Sequence, residues 1–130
     1  MRRILLPLLL VVGLVAGCAT APRAINDRLY FGRSIPGGGE ISDAQWDKFV
    51  AEVVVPRFPE GFTVFHTDGH WRGDDGASVS EQSCVLEVTH APDPAADAKV
   101  AEIGKAYRER FHQEAVLLIR TPAEMTFWRR

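Results

Sequence analysis

Proline and glycine cut this chain at fixed places, and those cuts limit the available folds more than any other feature. Pro36-Gly37-Gly38-Gly39, Pro56 and Pro59 with Gly61, Asp68-Gly69, Asp74-Asp75-Gly76, Pro92 with Pro94, and Pro122 leave only short periodic segments between them. Proline fixes φ and lacks an amide donor, and glycine accepts turn conformations, so no long helix or long central strand is expected to cross these points. Arg28-Leu29-Tyr30-Phe31-Gly32-Arg33 alternates, with Leu29 and Phe31 on one face and Tyr30 on the other, as a first strand does. Ser42 followed by Gln45 forms a capping box, and Trp46, Phe49, Val50 and Val53 recur behind it, predicting a helix over 43–55. A second strand follows over 62–67. Asp68-Gly69 then predicts a turn, with His70-Trp71-Arg72 as a hairpin arm or short extra strand. Residues 83–90 alternate as a third strand, Cys84, Leu86 and Val88 on one face and Val85, Glu87 and Thr89 on the other. A second helix over 95–111 carries an apolar stripe of Val100, Ile103, Tyr107 and Phe111, and 115–120 is the last strand.

Strand, helix, strand, strand, helix, strand is the order of the ferredoxin-like α+β fold. Right-handed crossovers put both helices on one face of a four-stranded antiparallel sheet. The other face is left open, and Tyr30, Phe65, Val85 and Trp71 make it too apolar for plain solvation. Closure by a second copy, giving a homodimer, or capture of a ligand is the expectation.

Ahead of this domain, Arg2 and Arg3 precede the apolar run Ile4 to Val15, and Ala16-Gly17 supply the small residues of an export-signal cleavage site. The run is broken by Pro7 and Gly13 and is shorter than the roughly 20 apolar residues a spanning helix needs. Leu14-Val15-Ala16-Gly17-Cys18 resembles the lipobox of bacterial lipoproteins. That resemblance implies lipidation of Cys18, removal of residues 1–17 as a signal peptide, and attachment of the protein to a membrane through the lipid on Cys18. By the same resemblance, Ala19 in place of an aspartate favours the outer membrane over the inner, with the domain on the periplasmic side. Residues 18–27, with Pro22, read as a tether, and 28–130 as the folded domain.

Without its leader the chain carries 13 basic and 17 acidic side chains, a formal charge of −4, interspersed rather than blocked. Such a chain is not expected to bind nucleic acid or lipid headgroups. Cys18 and Cys84 are its only cysteines, so lipidation of the first leaves the second without a disulfide partner. In the run Cys84-Val85-Leu86 the thiol reads as a small buried hydrophobe.

The domain's residues are similar to those of a bacterial lipoprotein family with the domain of unknown function 3574. The resemblance rests on Leu29-Tyr30-Phe31-Gly32, Trp46 and Phe49, Pro56-Arg57-Phe58-Pro59 with Gly61, Gly69, Trp71-Arg72, Glu81 with Ser83, Tyr107, Arg110-Phe111 and Gln113-Glu114. It implies the domain but no activity, and Cys84 and His70 depart from its pattern.

Three constellations could carry chemistry. His66, Asp68 and His70 have an H-x-D-x-H spacing suited to zinc or copper, although Asp68-Gly69 is expected to turn the chain there and no fourth ligand is near in sequence. Arg57, Trp71, Arg72 and Glu81, with Tyr30, could grip a small anion, the arginines as forks and the tryptophan as a wall. The bland alternative has Arg57 capping a helix end and Arg72 pairing with Glu81 across a hairpin. For proton transfer, His66 or Tyr30 is the candidate acid–base. No lysine and serine or threonine follow Gly37-Gly38-Gly39, so the loop is no phosphate cradle, and no nucleophile elbow, paired cysteines or H-E-x-x-H is present. No cofactor is expected. The sequence therefore points first to a non-catalytic module binding a small anionic ligand or a partner protein. The alternative is a small cofactor-independent enzyme, of oxygenase or isomerase type, like the dimeric α+β barrels.

Overall fold

The computed structural model of the chain describes residues 24–72 and 75–130. The signal peptide, Cys18 and residues 18–23 of the tether lie outside the described residues. The elements are β1 (Ala24–Gly32), α1 (Asp43–Phe49), β2 (Thr63–Arg72), β3 (Ser78–His90), α2 (Pro94–Phe111) and β4 (Leu117–Ala123). The strands form one antiparallel sheet in the order β2-β3-β1-β4. With two helices on one face, this is the expected ferredoxin-like α+β arrangement.

Local chemistry sets the helix boundaries. Ser42 Oγ accepts the Gln45 amide at 3.2 Å while the Ser42 amide donates to Gln45 Oε1 at 2.9 Å, completing the capping box of α1. At its far end α1 widens: over Val50–Val54 the turn is closed by a bond from the Val55 amide to Val50 O at 3.0 Å. The wider turn buries Val53 and Val54 together. Asp93 caps α2 through the Ala96 amide at 2.8 Å with Pro94 in the first turn, and His112 ends it at φ 54°.

The predicted stripe of Val100, Ile103, Tyr107 and Phe111 is buried against Leu29, Phe31, Cys84, Leu86 and Val88. Phe31 packs on Tyr107 and Trp46 with ring centroids 4.6 and 5.3 Å apart. Tyr107 carries its hydroxyl into this core and donates to Gly32 O at 2.8 Å, and burial pushes its phenol pKa well up. Cys84 is buried and unpaired, and burial raises its thiol to about 11.

Several boundaries differ from expectation: β3 starts at Ser78 where 83 was expected, and β4 spans Leu117–Ala123, through Pro122, where 115–120 was expected. β1 starts at Ala24, inside the stretch read as tether. β2 does not turn at Asp68-Gly69 but runs on to Arg72, paired throughout with Ser78–Glu87. The cross-strand ladder overrides the local turn preference. The reversal comes beyond Arg72, where Asp75 Oδ1 accepts the Ala77 amide at 2.9 Å and Gly76 takes φ 80°.

Candidate functional site

Because cross-strand partners share a face, the register lays out the open side of the sheet residue by residue. One row crosses all four strands: Phe65, Val85, Tyr30 and Leu117. Val85 is only 6% exposed between its neighbours, whereas Phe65 and Leu117 are 45% and 57% exposed. The adjacent row is Thr63, Glu87, Arg28 and Ile119. Here Arg28 Nε donates to Glu87 Oε2 at 2.8 Å, and Asn26 Nδ2 donates to Glu87 Oε1 at 3.1 Å. The pair cancels its own charge, holding the Glu87 carboxyl below the usual carboxylate range.

In the opposite direction the rows become small and polar. Thr67 and Ser83 are opposed with their hydroxyls 3.1 Å apart, and Gly32 completes that row. One step further, Glu81 faces Gly69. With no side chain on either glycine, the Glu81 carboxylate leans over β1 and accepts the Ser34 amide at 3.2 Å. Tyr30 lies two residues from Gly32 along β1, and Trp71, 53% exposed, two residues from Gly69 along β2. Each aromatic is therefore roughly 7 Å along its strand from a glycine gap. Among the described residues no cation pairs with Glu81. The site is a half-buried carboxylate without a cationic partner among the described residues, with Trp71 one row away on one side and, on the other, two hydroxyls and then Tyr30.

The tentative anion grip does not assemble as one unit. Tyr30, Trp71 and Glu81 share the open face, but Arg57 lies on the helix side, donating to Val53 O at 2.8 Å and to Glu102 at 3.0 Å. Arg72 is at the end of β2 opposite Ser78, on the face away from Glu81, so no hairpin pair forms between them. His66, Asp68 and His70 do share one face of β2, as their alternation requires. No three ligand-type side chains converge on a metal position among the described residues. His66 instead contacts the Cys84 sulfur at 3.6 Å and lines a polar cleft of about 260 Å³ with Arg33, Asp43 and Asp68. Arg33 is tied there to Ile41 O and to Asp43 at 2.8 Å.

One cluster was missed from sequence. Asp27, fully buried under α2, accepts both Arg120 nitrogens at 2.8 and 2.7 Å and His90 Nε2 at 2.9 Å. Arg120 also lies 2.8 Å from Asp97. Burial raises the Asp27 carboxyl, but hydrogen bonds and charge from Arg120 and His90 outweigh it and hold it below the usual range. The signal was the alternation of Ile25, Asp27, Leu29 and Phe31, which reaches back past Arg28. His90 is thereby committed to the fold.

The model of the family described as protein of unknown function (DUF3574) matches residues 26–127. No curated protein matches the sequence. Among solved structures, a phage SAM lyase in complex with S-methyl-5'-thioadenosine is similar, with 16% identity, a TM-score of 0.60, and coverage of 78% of this chain and 83% of that one. The apo state of a phage SAM lyase is similar at 18% identity and a TM-score of 0.58, over 75% and 78% of the two chains. At such identity the likeness is one of fold. The expectation of a non-catalytic binding module is corrected toward its enzyme alternative, since these two similar solved structures are of an enzyme. The open face adds a physical reason against an anionic ligand, since among the described residues Arg28 and Glu87 neutralise each other there and Glu81 has no cationic partner.

Proposed function

The chain belongs to the DUF3574 family, whose description assigns no activity, and from that premise we propose that it is a small enzyme working through the open sheet face on a sulfonium-type cation. The observation that carries this reading is Glu81, a carboxylate without a cationic partner among the described residues, on the same face of the sheet as Tyr30 and Trp71. A sulfonium is attracted by a carboxylate and by aromatic ring faces, the latter contributing on the order of 1 kcal/mol each. In an elimination a base takes a proton from the carbon next to the sulfur-bearing one. That C–H pair becomes a carbon–carbon double bond, and the carbon–sulfur pair passes to sulfur, so that a neutral thioether leaves. Charge thus disappears along the reaction, and walls less polar than water favour that change. Glu81 holds the cation, Trp71 and Phe65 form the wall, and the Tyr30 hydroxyl is the candidate proton-handling group. The shared fold with a SAM lyase supports a lyase more than the oxygenase or isomerase classes.

A second copy of the chain closes this face in the same reading, supported by the exposed Phe65, Leu117 and Ile119 around the row of Val85 and Tyr30. The deciding experiment incubates the purified full-length protein with S-adenosylmethionine and follows S-methyl-5'-thioadenosine by mass spectrometry. Turnover by the native protein, falling at least about a hundredfold in Glu81→Gln, is expected. No product and no calorimetric binding from the native protein would overturn the reading.

The same chain is proposed to be a lipoprotein on the periplasmic side of the outer membrane, anchored through Cys18. The lipobox resemblance of Leu14 to Cys18 supports this. One acyl chain holds a protein only marginally, whereas two or more hold it stably. Cys18→Ala should abolish metabolic labelling with a fatty acid, and persistent labelling would refute the anchor.

A further inference from the structure

Gly32 is the last residue of β1, still paired with Ser83, and no left-handed φ accounts for a glycine there. A glycine inside a strand weakens it and marks a close approach of some other group. Here the group is identifiable. A Cβ at position 32 would stand 2.8 Å from Glu81 Oε1, 3.0 Å from Oε2 and 3.1 Å from Cδ. At Gly69, on the other side of Glu81, a Cβ would meet the Ser83 hydroxyl at 3.2 Å and come no nearer than 3.8 Å to the Glu81 side chain. The carboxylate therefore occupies the space at Gly32 and not that at Gly69.

The backbone beside this space is pinned from the helix side at two points. Tyr107 donates to Gly32 O at 2.8 Å, and Gln113 Nε2 donates to Ser34 O at 2.8 Å. Between them the Ser34 amide points to Glu81 Oε2 at 3.2 Å. The Ser34 amide thus binds the carboxylate of Glu81 from β3, while Tyr107 in α2 and Gln113 just beyond it hold the backbone on either side of that amide.

We propose that Gly32 is a positioning residue, its missing side chain forming a seat in which the Ser34 amide fixes the Glu81 carboxylate toward a cationic ligand. The ligand class rests on the function proposed above; the seat itself does not. The atoms that an alanine at 32 would strike are the far end of a flexible side chain, so the carboxylate moves and the strand stays. Loss of binding without loss of folding is the consequence.

The test uses the purified full-length protein with S-adenosylmethionine as calorimetric probe. Gly32→Ala should weaken binding about tenfold or more with an unfolding temperature no lower than native, as befits a glycine replaced in an extended strand. Glu81→Asp alone should weaken binding, yet in the Gly32→Ala background it should restore part of it, because the shorter side chain withdraws the carboxylate from the new methyl group. A merely structural glycine would give no such reversal. Should Gly32→Ala bind as native while Glu81→Gln binds weakly, the seat is refuted and the reading of Glu81 stands. A native protein that does not bind, or binds no better than Glu81→Gln, refutes the function instead. In that event the seat is decided without ligand. The Ser34 amide proton, measured by NMR, should move upfield in Gly32→Ala as its carboxylate acceptor leaves, and an unmoved resonance overturns the proposal.

Discussion

Asp27 carries the largest single electrostatic commitment in the domain, a fully buried carboxylate held by a two-pronged arginine and a histidine. Its folded pKa lies below the ordinary value of 3.8, so it binds its proton less readily folded than unfolded. The stability it contributes is fully present above about pH 4 and is lost as pH falls through the folded value. Urea unfolding at neutral pH should show Asp27→Asn destabilised by about 3 kcal/mol, since Arg120 and His90 lose their shared acceptor. Below about pH 4 the native protein should lose stability more steeply than the variant. Tyr107→Phe should cost about 1–2 kcal/mol in the same assay, because Gly32 O loses its buried partner. Neither role was open to sequence reading alone. An aspartate interrupts an apolar alternation on paper, and its arginine partner stands 93 residues away. Glu81 was legible as a site candidate, together with Tyr30 and Trp71, through the family resemblance and the expected hairpin, but its place on the open face was not, because its strand was expected to start only at 83. Arg57 caps a helix end, as the bland reading had it, whereas the expected pairing of Arg72 with Glu81 fails because the register puts them on opposite faces of the hairpin.

At the scale of elements, caps and stripes were the legible parts. The Ser42 box and the α2 stripe follow from spacing alone, and both appear as expected. Asp93→Ala should lower stability by about 1 kcal/mol, read as a fall in the thermal midpoint, because the Ala96 amide loses its acceptor. The β2–β3 hairpin was misjudged because Asp68-Gly69 is turn chemistry in isolation, whereas ten successive pairings hold it extended. The widened turn over Val50–Val54 was equally hidden. Val50 and Val53 fit a regular helix, and only the joint burial of Val53 and Val54 requires the extra residue in the turn.

For the molecule as a whole, segment order was enough to fix the topology, because right-handed crossovers leave few arrangements for this pattern. The character of the open face was not legible, since it depends on which charges cancel: Arg28 with Glu87 but, among the described residues, nothing with Glu81. If a second copy closes that face, sedimentation of the purified protein should give a species larger than one chain. Phe65→Ser with Leu117→Ser should then shift it to the monomer while leaving the melting temperature within a few degrees, as both residues are largely exposed in a single copy. A monomer in the native protein at micromolar concentration would count against closure.

Among the described residues the strand order also leaves β2 and β4 with one unpaired side each. Free borders of this kind invite further strands to add, chain upon chain, into ribbons. On β4, Pro122 has no amide to offer an incoming strand, and the Arg120 guanidinium is drawn inward to Asp27. Replacing Pro122 by valine would thus do little within one molecule, yet it would extend the docking strip. Increased light scattering on storage is the symptom to watch for. A residue that adds almost nothing to the fold would then prove to be what keeps many copies apart.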